Sequence, residues 1–221
     1  MADTFLSMKN LAFTLESKIR EAGEDGDRLF SSHPAKARQM VLKAALDFAK
    51  KELRPIFDEM DKTPPRFEAG IVQVHPKVRA ILETLGRDGW IAAPFSDEWG
   101  GEGMPATLLH AIHFIFAAAN YSGAVYSGLT TGAARLIISF GSGELKQMFL
   151  LPMLEGKWQG TMALTEPEAG SSLGDLETLA RPLGDGRYAV SGEKIFISAG
   201  DHDGVDNVVH LMLARIDGAP A

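Results

Sequence analysis

Apolar residues recur every three or four positions before Lys157 and every second position after it. In the first part, Val41, Ala45, Phe48, Ala49 and Leu53 form one helical stripe. It stops near the Arg54–Pro55 step, because proline lacks an N–H and its ring collides with the preceding turn. Val78, Ile81, Leu82 and Leu85 form a second stripe, closed by Gly86 and Gly89. Residues 105–119 and 124–140 predict two helices that are apolar almost all round and therefore central. Ser142 is the expected N-cap of a shorter helix that turns Leu145, Met148 and Phe149 inward. The stretch before Ala35 adds a peripheral helix, with residues 21–32 as a loop. The sum is an α-helical bundle of about five or six helices.

After Lys157 the period of two predicts strands. Thr161 to Thr165 is one, followed by a Gly/Ser-rich loop. Residues 178–183 and 187–191 are joined by Gly184-Asp185-Gly186, a hairpin signal. Residues 194–198 and 207–215 give two more. The expected class is α+β, with a helical domain over residues 1–157 and the first part of an antiparallel β-domain over 158–221. A sheet that stops at Gly218-Ala219-Pro220-Ala221 leaves an unpaired edge, so the chain is expected to be truncated.

Composition narrows the class only a little. The 221 residues are 45% hydrophobic and 23% charged, enough for a real core and ordinary for a globular protein. A formal charge of -7 argues against a nucleic-acid surface, but backbone amides can still bind phosphate in an acidic protein. With no cysteine there is no disulfide, thiolate nucleophile or Cys-ligated metal, and a cytoplasmic setting is expected. Residues 1–13 lack the apolar run of a secretory signal. Residues 112–138 are interrupted by Asn120, Gly123, Gly128 and Arg135, so no membrane span is expected.

The chemistry concentrates in Met162-Ala163-Leu164-Thr165-Glu166-Pro167-Glu168-Ala169-Gly170-Ser171-Ser172. A strand ends at Leu164 and Thr165, and Pro167 stops the ladder. The small residues that follow offer backbone N–H groups and hydroxyls in one bend, a form that suits a pyrophosphate. Taken alone, such a bend is more often a plain surface loop. Its context is not plain. The run resembles the A-L-T-E-P-x-A-G-S segment of acyl-CoA dehydrogenases. Gly192-Glu193-Lys194-Ile195-Phe196-Ile197-Ser198-Ala199-Gly200 resembles that family's G-x-K-x-W-I-T-x-G segment. Phe140-Gly141-Ser142, Lys146, Leu151-Pro152 and Gly156 are similar to the helix that leads into its sheet, and Gly89-Trp90 with Trp99-Gly100-Gly101-Glu102-Gly103 to its earlier turn. Ser198-Ala199-Gly200-Asp201-His202-Asp203, with Asn207 and His210-Leu211, looks like the larger branch typified by 3-methylmercaptopropionyl-CoA dehydrogenase.

The resemblance implies an FAD enzyme of fatty acid metabolism that oxidises an acyl-CoA to the trans-2-enoyl-CoA and passes electrons to an electron-transfer flavoprotein or similar acceptor. It implies a homo-oligomer and a C-terminal helical domain, outside these residues, that carries a glutamate base. No catalytic residue is therefore assigned. The implied FAD-binding residues are Met162, Leu164, Thr165, Gly170, Ser171, Phe196, Ile197 and Ser198, with Ser171 also near the CoA substrate. Two positions depart from the family. Ser172 stands where Asp is common, and Phe196 replaces a Trp, which removes an indole N–H.

Other features weigh less. His110 and His113 lack an adjacent third ligand, so no metal is expected. Asp201-His202-Asp203 is either a turn or a contact near the flavin. Glu166 is expected to be structural, and Trp90 and Trp158 to sit in the core or at a domain seam. The alternative readings are an acyl-CoA oxidase, a non-catalytic flavoprotein like the DNA-damage-response relatives, and a helical interaction module.

Overall fold

The computed structural model describes residues 5–218; the expected stop of the sheet falls largely outside them. Helix α1 (Met8–Glu21) starts at Ser7, whose hydroxyl accepts the Asn10 N–H at 3.3 Å. The stretch expected as a loop is instead a short helix, α2 (Gly23–Leu29). Its glycines suggest a turn, but Gly26 is there for closeness, since a Cβ on it would lie 2.2 Å from the Ile19 carbonyl oxygen. Acidic Glu24 and Asp25 at its start and Arg28 at its end suit the helix dipole. Helix α3 (Ala35–Phe48) is tied to α1 by buried Arg38, which donates to both Glu16 carboxylate oxygens and, at 2.8 Å, to the His33 carbonyl.

Helix α3 runs into a π-turn (Ala49–Leu53) and a 3-10 turn at Pro55, then α4 (Phe57–Lys62). A small exposed hairpin follows, β1 (Arg66–Glu68) and β2 (Ile71–Gln73), turning at Ala69 and Gly70 with both φ positive. Its strands are too short for periodicity to reveal. Helix α5 (Lys77–Arg87) matches the second stripe. The two expected central helices are both present; they follow one another as α6 (Ala106–Phe140) and are separated by a kink at Asn120, which is extended at φ -168° and ψ 97°. The buried Asn120 amide repairs the break. Its oxygen accepts the Gly123 N–H at 3.1 Å, and its nitrogen donates at 3.2 Å to the Leu53 carbonyl at the end of the π-turn. Leaving either group unpaired would cost about 1–3 kcal/mol.

Helix α7 (Gly143–Leu154) is capped by Ser142, as expected, with the Leu145 N–H at 3.2 Å. Leu145 and Met148 do not face inward; they are 45% and 52% exposed, and Leu150, Met153 and Leu154 are buried instead. A helix apolar all round does not announce its inner face. Seven α-helical elements lie among the described residues, one of them kinked into two, against the five or six that the pattern suggests. Helix α6 is long and apolar enough to cross a membrane by length and composition, yet it packs against α3, α5 and α7 and half of its most apolar window is buried.

The strands are β3 (Trp158–Ala163), β4 (Leu179–Pro182), β5 (Tyr188–Ser191), β6 (Asn207–Met212) and β7 (Arg215–Ile216). Helices followed by strands bear out the α+β class. Against the expectation of an antiparallel β-domain, only the β4–β5 hairpin is antiparallel among the described strands β3 to β7; β3 pairs with β6, and β4 with β7, in parallel. The parallel pairs join strands far apart in sequence, where the connection is long enough to return to the same end. Strand β3 lies on α6 so closely that a Cβ on Gly160 would meet the Ala133 Cβ at 2.6 Å. Two more glycines let backbones touch. A Cβ on Gly86 would lie 2.1 Å from the Glu155 carbonyl carbon, and one on Gly156 2.1 Å from the Leu82 oxygen.

Candidate functional site

The site is built where β3 ends. Met162 points outward at 37% exposed, Ala163 inward, and Leu164 and Thr165 are half-buried. A tight turn follows, closed by reciprocal bonds between Glu166 and Ala169 at 2.9 and 3.2 Å around Pro167. Beyond it Gly170 and Ser171 are exposed, and their backbone N–H groups and the Ser171 hydroxyl have no hydrogen-bond partner among the described residues. A Cβ on Gly170 would meet nothing within 4 Å, so the space beside the bend is open. The Ser172 hydroxyl is taken, donating to Asp175 at 2.6 Å.

The second segment reaches the same place from β5. Lys194 Nζ donates to the Leu164 carbonyl at 3.0 Å and to Glu166 Oε1 at 2.7 Å, and the Ile195 N–H donates to the Thr165 carbonyl at 3.0 Å. Residues 194–198 are not a strand, because Phe196 and Ala199 take positive φ (58° and 53°) and break the extended run. Phe196 is 88% exposed, Ile197 half-buried and Ser198 exposed. The two segments thus meet at residues 164–165 and 194–195, while the Gly170-Ser171 bend makes no hydrogen bond to the second.

Glu166 is a structural group, as its sequence context suggests. Besides Lys194, its buried carboxylate accepts the Glu177 N–H at 2.5 Å and the Thr178 N–H at 3.0 Å. Lys194 above all, then Thr178 and the Glu177 amide, lowers its pKa to about 2. A carboxylate so held is a poor base. Because the folded pKa lies below the ordinary value of 4.5, its stabilisation is fully present above that value. It is lost as the pH falls towards 2. Acid titration followed by circular dichroism should therefore show the parent losing stability relative to Glu166→Gln between about pH 4.5 and 2. Parallel curves across that window would mean that the carboxylate is not held in this way.

The other polar candidates serve packing. Asp203 accepts the Val74 N–H at 2.9 Å and donates its own N–H to the Val72 carbonyl at 3.0 Å, while Arg79 bonds Asp206 at 2.7 Å. His202 is buried against the Tyr126 ring at 5.1 Å, and burial lowers its pKa. The His110 and His113 rings are 6.4 Å apart, and no group of three metal-ligating side chains occurs among the described residues. Trp90 packs edge-on against Phe116, and Trp158 lies tilted against Phe149. Periodicity gives no sign of one further feature, an apolar pocket of about 220 Å³ beside the break in α6. It is lined by Phe116, Tyr121, Ala124, Val125, Gly128 and Leu129, with His113 at its edge. Such residues read as core until a cavity is seen between them.

Residues 35–157 match the family model described as acyl-CoA dehydrogenase, N-terminal domain, which is more than half of the chain. The chain belongs to the acyl-CoA dehydrogenase family. It is 36% identical over 173 residues to 3-methylmercaptopropionyl-CoA dehydrogenase from Ruegeria pomeroyi, covering 78% of this chain and 29% of that protein. It is 35% identical over 170 residues to a butyryl-CoA dehydrogenase from Syntrophomonas wolfei, covering 76% and 28%. A crystal structure of an acyl-CoA dehydrogenase from Bacillus anthracis, complexed with FAD, superposes with a TM-score of 0.67 at 26% identity, covering 82% of this chain and 29% of that one. The chain therefore spans less than a third of the length of these three relatives. The residues present have the chemistry to hold a flavin cofactor. Unpaired N–H groups and a hydroxyl stand at an open bend, and an exposed aromatic ring stands nearby.

Proposed function

We propose that this chain supplies the first part of the FAD site of an acyl-CoA dehydrogenase, with residues 1–157 as the helical domain and 158–221 as the start of the flavin-binding β-domain. The observation that carries the reading is the meeting of residues 164–165 with 194–195, beside hydrogen-bond donors that the fold leaves unused. When bound, FAD accepts the hydride that leaves the acyl-CoA β-carbon as the trans-2-enoyl thioester forms. Gly170 and Ser171 hold the pyrophosphate through their N–H groups and one hydroxyl, with Ser171 also next to CoA. Met162, Leu164 and Thr165 border one edge of the ring, and Phe196, Ile197 and Ser198 cover it and exclude water. The pocket at the α6 break is apolar, which suits an acyl chain. The base that takes the α-proton is assigned to no residue of this chain. In this reading the complete enzyme is a cytoplasmic homo-oligomer that delivers its electrons to an electron-transfer flavoprotein.

Thr165→Val and Ser198→Val, each in the complete gene product, test the assignment. As ring contacts, both hydroxyls should alter flavin bleaching by acyl-CoA on the order of tenfold, one hydrogen bond's worth. Since neither hydroxyl has a protein partner among the described residues, melting temperature should hardly move. Bleaching rates and potentials equal to the parent's would remove both from the site.

A further inference from the structure

The two segments that form the site are not joined by a sheet. One backbone bond, Ile195 N–H to the Thr165 carbonyl, links them, and the other ties run through the Lys194 ammonium to the Leu164 carbonyl and the Glu166 carboxylate. Glu166 is in turn held by two N–H groups at the entry to β4 and, through its own backbone, closes the turn that presents Gly170 and Ser171. Both side chains are nearly sealed, at 10% exposed for Lys194 and 5% for Glu166. Two residues beyond Lys194, Phe196 sits in the left-handed region, which a bulky side chain keeps only where its surroundings over-determine it.

We propose that Glu166 and Lys194 are positioning residues whose buried ion pair sets the gap between residues 164–171 and 196–198, and so the fit of the cofactor between them. The proposal rests on the flavin reading above. It assigns the pair no contact with FAD. The pair acts through the turn on one side and through the Phe196 backbone on the other. A buried pair can usually be replaced by two apolar residues with little loss of stability, whereas removal of one partner leaves a buried charge alone. That asymmetry separates positioning from folding.

The experiment compares Lys194→Met, Lys194→Arg and the double change Glu166→Met with Lys194→Met in the complete gene product. Three quantities are read: FAD affinity by titration of the stripped protein, amide exchange of residues 164–172 and 193–199, and melting temperature. Lys194→Met should weaken FAD binding at least tenfold and speed exchange in both segments, with α6 unchanged. Lys194→Arg should recover most of both. The double change should recover only the part of the melting temperature lost to the unpaired carboxylate, because the Glu177 and Thr178 N–H groups lose their acceptor, and should leave FAD affinity low. Recovery of full affinity in the double variant, or unchanged exchange in Lys194→Met, would overturn the proposal. A parent that takes up no FAD, while its exchange still responds to Lys194→Met, would instead overturn the flavin reading and the positioning role with it.

Discussion

Ser171→Glu is expected to abolish FAD retention by the complete gene product. Ser171 stands exposed on the bend that follows the Glu166–Ala169 turn, where its N–H and hydroxyl have no protein partner. A carboxylate placed there faces a diphosphate across a few ångströms. At the effective dielectric typical of partly buried sites, two unit charges 4 Å apart repel by about 4 kcal/mol, or roughly a thousandfold in affinity. Ser171→Ala loses only one hydrogen bond and should weaken retention about tenfold. The ratio of flavin to protein absorbance after purification reads both. Full occupancy in Ser171→Glu would show that this bend does not hold the pyrophosphate.

Gly156→Val should be the most destabilising single change outside the site. Gly156 has φ +74°, a conformation β-branched residues resist, and a Cβ there would lie 2.1 Å from the Leu82 carbonyl oxygen. The obstacle is the backbone of α5, so no side-chain rotation relieves it. Left-handed strain and overpacking together amount to about 3 kcal/mol or more, equivalent to a fall of roughly 8 °C in Tm for a chain of this size. Gly143→Ala is the control, since nothing lies within 4 Å of a Cβ at that helix start. It should hold or raise Tm. A Gly156→Val protein that melts with the parent would refute the close approach of α5 and the end of α7.

Local rules made the capped and striped elements legible. The Ser142 cap, the α5 stripe and the Gly184-Asp185-Gly186 hairpin follow from neighbouring residues alone. What was hidden depends on distant partners. Residues 21–32 read as a loop because their glycines look like turn formers, and only the nearness of Ile19 shows why Gly26 is needed in a helix. Residues 194–198 alternate like a strand, but Lys194 is drawn to Glu166 and the backbone then turns left-handed. The motif resemblance picked out both segments of the candidate site. It could not supply the hydrogen bonds between them, nor the half-open pocket at the α6 kink, which forms only where residues of both halves come together.

The extended step at Asn120 resets the phase of α6. An α-helical residue advances 1.5 Å and turns about 100°, whereas an extended one advances about 3.3 Å and reverses direction. The two halves therefore face their neighbours independently. The first half sets Phe116 against Phe48 of α3, and the second sets Thr130 and Tyr126 against Gly160 and Gln159 of β3. The Leu53 carbonyl, gripped by the Asn120 side chain, keys one phase to the other. Substitutions at Tyr121, Val125 or Leu129 then reshape the pocket from the second half alone, while Phe116 and Ala117 on the first half keep their own wall of it.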